Sequence, residues 1–419
     1  MCSSASWSRA GSGCDLAMLP ASANRDARLL LVTRALRGFA DGLVSVLLAT
    51  WLTGLGFSPL QVGAIVTGTL FGSAALTLFI GLVSHRLSRR RVLFGAALLM
   101  LATGAGFFSV TRFWPLLVIA IAGTLNPSSG DVSLFLPTEQ AMLSEVIPGK
   151  DRTLLFAWYN VAGTFAGAVG APASGGPATV SRLLHISLLQ AQRGGFLVYA
   201  LVAVLAGLLY RQLSPGVESQ HAQAKKPLEK SRAIVLRLAA LFCIDSAGGG
   251  FVVQSLLALW LLHRFHLSVQ ATAAFFFVAG LFAALSQLLS SRLAARFGLI
   301  NTMVFTHLPA NLLLIVAGIV PSAPWALSLL LIRMIVSSMD VPARQSFVMA
   351  VVPPEERAAA ASVTNVPRSL ASALPPLLAG AMLSHTSFGW PLICGGILKA
   401  VYDLLLLQQF RHLKPDTNL

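Results

Sequence analysis

The chain has 419 residues, of which 56% are hydrophobic and only 11% are charged. Soluble globular domains carry roughly a quarter charged residues, so this composition excludes an ordinary soluble domain and is typical of a polytopic helical membrane protein. The net charge is +15, but the cations lie in short connections between apolar segments, where they set membrane orientation. They form no basic face of the kind that indicates nucleic-acid binding, and no nucleic-acid partner is expected.

A membrane span takes about 20 mainly apolar residues, and this criterion predicts about twelve helices in the order of the chain. They lie near residues 28–53, 58–83, 91–110, 113–145, 152–174, 194–212, 233–262, 268–290, 300–320, 324–351, 356–384 and 388–409. The predicted fold class is therefore all-α, with two six-helix bundles at residues 27–212 and 233–410. A polar linker at 213–232 joins them, and residues 1–26 and 411–419 are predicted to be tails, with Met18 as an alternative start.

The two predicted bundles share a repeated sequence. Pro137, Gln140, Val146, Pro148 and Arg152 return, all at an offset of 205 residues, as Pro342, Gln345, Val351, Pro353 and Arg357, and Asn160 returns as Asn365. Internal duplication of an apolar chain is a signature of many secondary transporters. For the two asparagines, capping or bridging of helices is favoured over ligand binding.

The connections predict the orientation in the membrane. One set of alternate connections holds most of the Lys and Arg residues, while the other set holds few: Arg112, Arg182, Arg193 and Arg264. Because cytoplasmic loops carry the excess of cations, both termini and the linker are predicted to be cytoplasmic, in the cell (inner) membrane.

Ionisable residues inside spans are costly and usually face a cavity. They concentrate here in spans 1, 4, 7 and 10, which occupy equivalent places in four three-helix units. The candidates for proton coupling are Asp41, Asp131, Asp245 and Asp340, and the candidates for substrate binding are Arg37, Glu139, Arg333 and Arg344.

The alternative for these residues is intrahelical pairing, of Arg37 with Asp41 and of Asp340 with Arg344, because partners four residues apart share a helix face. Lys399 and Asp403 in span 12 have the same spacing and are expected to form a structural pair or a snorkelling anchor.

The connection between spans 2 and 3 reads Gly81-Leu-Val-Ser-His85-Arg86-Leu-Ser-Arg89-Arg90. This resembles the loop motif of the major facilitator superfamily, G-x-L-x-D-R-x-G-R-R, with His85 in place of the acidic residue and Ser88 in place of the second glycine. Arg296 and Gly298 form its counterpart in the second half. The resemblance implies twelve helices, alternating access and a cytoplasmic gating role for this loop. A simple positive-inside signal is the alternative.

Span 5 contains Gly167, Pro172, Gly175 and Gly176 in a pattern similar to the superfamily's antiporter motif, with Ala171 in place of one glycine. The resemblance implies export by proton exchange, and the physical alternative is simply close helix packing.

Nothing in the chain indicates an enzyme, since phosphate loops, HExxH and GxSxG are absent, and no cofactor or metal is expected. The leading hypothesis is a monomeric secondary transporter for a small organic solute, anionic or amphiphilic, coupled to protons or another ion and working as an exporter. Uptake by proton symport, lipid flipping and a non-transporting membrane sensor remain alternatives.

Overall fold

The computed structural model describes residues 23–83, 87–128, 134–146, 149–218, 229, 231–353 and 356–410, and they fold into helices joined by short connections. We number the membrane crossings as spans 1 to 12. Spans 1–6 are α1 (Arg25–Gly54), α2 (Pro59–Val83), α3 (Arg89–Ser109), α4 with α5 (Phe113–Ala122 and Phe135–Val146), α6 with α7 (Gly149–Ala173 and Gly176–Leu184) and α8 (Leu188–Arg211). The predicted fold class is confirmed.

The second half repeats this arrangement after a 3₁₀ turn at Pro215–Val217. Spans 7–12 are α9 with α10 (Arg232–Gly250 and Gln254–Phe265), α11 (Val269–Phe297), α12 (Leu299–Ile319), α13 with α14 (Ala323–Ser337 and Asp340–Ala350), α15 with α16 (Arg357–Ala373 and Pro375–His385) and α17 (Trp390–Phe410). Three consecutive glycines, Gly248–Gly250, lie near the break in span 7. The helix continues through these residues and breaks just after them, before α10 begins.

In the described part of the chain, nine segments are long and apolar enough to cross a membrane by themselves. Spans 4, 10 and 11 are not among them because each is divided into two short helices. The physical reason is local: α4 ends before Gly123 and Pro127, and α16 begins with Pro375 and Pro376, which lack the N–H that a continuous helix would need.

The two halves pack by the same scheme. Span 1 packs on spans 5 and 6 in the first half, as span 7 packs on spans 11 and 12 in the second. Between the halves, span 2 packs on span 11 and span 5 packs on span 8. We call the side that holds Ser88, Glu218, Ser231 and Glu356 the linker side, and the opposite side the far side.

Close contacts between the halves lie toward the far side. A Cβ atom on Gly63 of α2 would lie 2.5 Å from the carbonyl oxygen of Pro376, and one on Gly380 would lie 2.5 Å from that of Pro59. The backbone N–H of Ser255 donates to the carbonyl oxygen of Pro127 across the halves, at 3.2 Å. Small residues therefore let the halves touch there, as they do between many membrane helices.

Candidate functional site

The first half buries a closed ion pair. Glu139 on α5 is fully buried and is paired with Arg37 on α1. Three hydroxyls also donate to its carboxylate: Tyr159 to Oε2, Tyr210 to Oε1 at 2.6 Å and Thr33 to Oε1 at 3.0 Å. A buried carboxylate is tolerated only when charge and hydrogen bonds compensate its lost hydration. Glu139 lies on span 4 and its partners lie on spans 1, 5 and 6, so the cluster ties the first half together.

The spacing of four residues predicted an ion pair between Arg37 and Asp41. In the structure, Arg37 instead pairs with Glu139 of another span. Its guanidinium also lies 4.2 Å from the ring centroid of Phe135, which stabilises the cation further. Asp41 is buried and accepts a hydrogen bond from Asn126 Nδ2 at 3.3 Å. Asp131, the remaining acidic candidate of this half, lies outside the described residues.

The second half holds a different cluster, centred on Asp245 of α9. Its Oδ1 accepts from Lys399 Nζ at 2.6 Å, and its Oδ2 accepts from Arg344 Nη1 at 2.9 Å. Arg344 also lies 3.4 Å from Asp340, so the intrahelical pair expected from the sequence is present but is part of a larger set. Arg333 is half-buried, with Nη1 3.5 Å from the sulfur of Met334.

The expectation that Lys399 and Asp403 form a structural pair with each other, or a snorkelling anchor, is wrong. Lys399 reaches across to Asp245 in span 7, while Asp403 accepts from Asn311 Nδ2 at 2.8 Å and lies 2.9 Å from His307 Nδ1. Although these two residues share a helix face, each finds its partner on another helix because the neighbouring spans present complementary groups. Buried ionisable side chains are thus found on spans 9 and 12 as well as on spans 1, 4, 7 and 10.

Between the two halves lies a cavity of about 350 Å³. Its position is on the linker side of the Gly63–Gly380 contact, since its α2 lining begins at Leu70 and extends to Thr77. Both halves contribute polar residues to its lining. They are Thr77, Ser128 and Gln140 from the first half, and Asp245, Ser246, Gln345, Asn365, Arg368, Ser369, Ser372 and Lys399 from the second. Arg37 and Glu139 are not among the lining residues.

Of the described residues, two cations and one carboxylate line this cavity, namely Lys399, Arg368 and Asp245. Arg368 Nε donates to Ser246 Oγ at 2.9 Å. Gln140 and Gln345, which the internal repeat relates, both face it. Asn365 lines it too, whereas its repeat partner Asn160 does not.

The comparison with known families identifies the fold. The sequence pattern of the Major Facilitator Superfamily matches residues 30–376. The chain belongs to this superfamily. It is also 26% identical to the uncharacterized membrane protein YJR124C of Saccharomyces cerevisiae, over 93% of this chain and 94% of the yeast protein.

Solved structures of other superfamily members share the fold at low sequence identity. The D-xylose–proton symporter has a TM-score of 0.73 and 15% identity, covering 93% of this chain and 98% of that one. A bacterial homologue of the human lysosomal transporter Spinster, inward-facing and occupied, has a TM-score of 0.72 and 16% identity, covering 92% and 97%. The protein is accordingly a helical membrane protein with a transporter fold.

The superfamily loop motif is described only in part, because His85 and Arg86 lie outside the described residues. Gly81 is exposed near the end of α2, and Arg89 and Arg90 begin α3. Both of their backbone N–H groups donate to Glu218 of the linker, at 2.9 and 3.1 Å. In the second half, Arg296 is exposed and Gly298 has a φ of 84°, a left-handed conformation that favours glycine.

The residues of the span 5 motif have different surroundings. Gly167 packs against α1, where a Cβ on Gly42 would lie 2.0 Å from the Gly167 carbonyl oxygen. Pro172 lies inside the last turn of α6, Gly175 precedes α7, and a Cβ on Gly176 would meet open space. Among the three glycines of the motif, Gly167 thus packs closely against span 1, whereas Gly175 and Gly176 do not.

Sequence reasoning missed His307 and undervalued Lys399 and Arg368. The available signal was the placement of ionisable residues in the middle of spans 9, 11 and 12, outside the repeated positions. Glu218 was also missed, since a glutamate in a polar linker is unremarkable until the fold brings it to the start of α3.

Proposed function

We propose that this protein is a proton-coupled secondary transporter whose cargo is a small organic anion bound in the cavity between the halves. The observation that carries the proposal is the Lys399–Asp245 ion pair. Both residues line the cavity, so the Lys399 ammonium group is available to bind an anionic cargo. Arg368 adds a second cation to the same wall. Cargo binding then exchanges one salt bridge for another and leaves Asp245 without its ammonium partner.

This exchange predicts the sense of coupling. A buried carboxylate that loses its cation is compensated most simply by a proton. Anion and proton then bind together, and by thermodynamic reciprocity each strengthens binding of the other. Co-transport in the same direction follows, which is the symport that the sequence analysis placed second.

Export by proton exchange is the second candidate function, supported by the sequence pattern of span 5. The two candidate functions differ in the direction of transport under a proton gradient. In symport the cargo moves with the protons, and in exchange it moves against them. Both use the same cavity and the same alternating access between the linker side and the far side.

The proposal is tested with purified protein in liposomes under an imposed pH gradient. The probes are radiolabelled carboxylic, phosphonic and sulfonic acids of benzene-ring size, each with its neutral amide or ester analogue. We expect at least one acid to accumulate on the side toward which protons flow, and its neutral analogue to be left behind. Equal movement of an acid and its analogue, or movement of none, would overturn the anionic cargo. Accumulation against the proton flow would support exchange instead.

Two variants locate the site. Lys399→Gln removes a charge-assisted hydrogen bond worth about 1.5–3 kcal/mol, so anion affinity falls about tenfold to a hundredfold. Asp245→Asn leaves Lys399 available but removes the negative charge that the coupled proton would compensate. It should exchange labelled for unlabelled cargo yet fail to accumulate it. The control is Arg182→Gln, which removes an exposed cation on the far side.

A further inference from the structure

The His307 ring lies between two buried carboxylates, one of which belongs to the cavity. Its Nδ1 is 2.9 Å from Asp403 Oδ1, and its Nε2 is 3.8 Å from Asp245 Oδ1. Asp403 is fully buried, and within the described residues it has no Lys or Arg partner. Asn311 Nδ2 donates to Oδ2 of this carboxylate at 2.8 Å and also lies 3.2 Å from His307 Nδ1. Because Nδ1 is closer to the carboxylate oxygen, at 2.9 Å, we assign its proton to the hydrogen bond with Asp403.

The other ring nitrogen is therefore the one able to accept a proton. At 3.8 Å its distance to Asp245 is too long for a hydrogen bond, as expected of an unprotonated nitrogen that faces a carboxylate. The same oxygen, Oδ1, already accepts from Lys399 at 2.6 Å. Lys399 and His307 thus face the same acceptor atom, and only Lys399 donates a hydrogen bond to it.

Charge balance shows when the histidine would be needed. The ionisable groups around it come from four helices: Lys399, Tyr402 and Asp403 on α17, Asp245 on α9, Asp340 and Arg344 on α14, and Arg333 on α13. The remaining helix packed on α12 is α11, whose Arg292 and Arg296 are exposed. Among the residues that the structure describes, three carboxylates of this cluster face three cations, so their charges balance when the imidazole is neutral. If Lys399 turns to a bound anion, the cluster lacks one positive charge.

We propose that His307 supplies this charge and is the group that carries the coupled proton. When the cargo draws Lys399 away, Nε2 takes a proton from the solvent through the cavity. The imidazolium then replaces the ammonium on Asp245 Oδ1, while Nδ1–H remains on Asp403. This inference rests on the function proposed above, and it assigns the proton to a residue one layer behind the cavity wall rather than to Asp245 itself.

The test uses the full-length protein labelled with ¹⁵N-histidine, with no cargo present. The chain has 8 histidines, and the spectrum of His307→Gln identifies the resonances of His307. In the wild type at neutral pH we expect a neutral ring protonated at Nδ1. Lys399→Gln imitates the departure of the ammonium, so His307 should become doubly protonated at the same pH. Lys399→Arg keeps the charge and should leave the ring neutral.

Each outcome decides between a carrier and a structural histidine. A ring that stays neutral in Lys399→Gln, or one that is doubly protonated already in the wild type, would overturn the assignment. Lys399→Met, which has similar length and no charge, repeats the test if the glutamine variant does not fold. The liposome assay separates the two proposals. If the wild type couples anion transport to protons but the His307 ring stays neutral in Lys399→Gln, the coupled proton belongs on Asp245. A charged ring without anion transport would instead overturn only the cargo.

Discussion

The two halves each bury a carboxylate within a cluster of partners, but the partners differ in kind. Glu139 is held by Arg37 and three hydroxyls that all belong to its own half, and it does not line the cavity. Asp245 is held by two cations, one of which lines the cavity beside it. A saturated cluster away from the cavity stabilises a bundle, whereas one that shares its cation with the cavity can respond to a ligand.

The largest effect should come from the closed cluster. Glu139→Gln keeps the size of the side chain but leaves Arg37 buried without a counter-charge, which costs about 3–5 kcal/mol of unfolding free energy. Reversible unfolding in mixed micelles measures this loss. Transport per folded molecule should stay near the wild-type value, because the cluster does not face the cavity. Equal losses of transport and stability would show that the first half also takes part in binding.

Glycine packing offers a second contrast between the halves. Gly42→Ala would place a Cβ atom 2.0 Å from the Gly167 carbonyl oxygen, so spans 1 and 5 must separate at a cost of about 1–3 kcal/mol. In Gly248→Ala the new atom would lie 2.8 Å from both the Gly395 carbonyl oxygen and Lys399 Cγ. We therefore expect both variants to lower the melting temperature and only Gly248→Ala to lower anion affinity as well.

The matched control for these two variants is Gly176→Ala, where a Cβ atom meets open space. It should change neither stability nor binding measurably. A loss in this variant as large as that of Gly42→Ala would mean that helix propensity or folding, and not close packing, sets the effect.

The repeated glutamines test whether both halves contact the cargo. Gln140→Ala and Gln345→Ala each remove one uncharged hydrogen-bonding group from the cavity, worth about 0.5–1.5 kcal/mol, or about two- to tenfold in anion affinity. Isothermal titration with the acid found in the liposome assay measures both variants. An effect confined to Gln345 would place the cargo on the wall of the second half alone.

The smallest effect is expected at the linker. Burial alone would raise the pKa of Glu218, but hydrogen bonds from Ser88 and from the backbone of Arg89 and Arg90 lower it below the ordinary value of 4.5. A carboxyl whose folded pKa is lowered stabilises the fold above its unfolded pKa, and this contribution disappears as pH falls through the folded value. Because the group is only partly buried, Glu218→Gln should cost less than about 1 kcal/mol at neutral pH.

Melting temperatures of Glu218→Gln and wild type, followed from neutral pH downward, check this sign. The difference should be present at neutral pH and disappear as pH falls through the folded pKa of Glu218, which lies below 4.5. A difference that grows on acidification would contradict it. Glu229→Gln removes an exposed carboxylate of the same linker and serves as the control.

The sequence alone determined the class of this molecule. Span length, low charge and internal duplication can be read from local composition and from the repeat within the chain. An all-α membrane fold with about twelve spans in two halves was therefore predictable, and it is confirmed. The predicted boundaries erred mainly where Gly123, Pro127, Pro375 and Pro376 divide a span, because an apolar segment does not reveal that its helix is broken.

Only the tertiary structure decided which buried charges share a site. Spacing along one helix predicted the pairs Lys399–Asp403 and Arg37–Asp41. In the structure, Lys399 and Arg37 reach carboxylates on other spans, and Asp403 contacts a histidine on another span. A charge in an apolar medium takes the strongest available compensation, and helix packing determines which partners are available. The repeat likewise related Gln140 to Gln345, but only the fold brought both to one cavity.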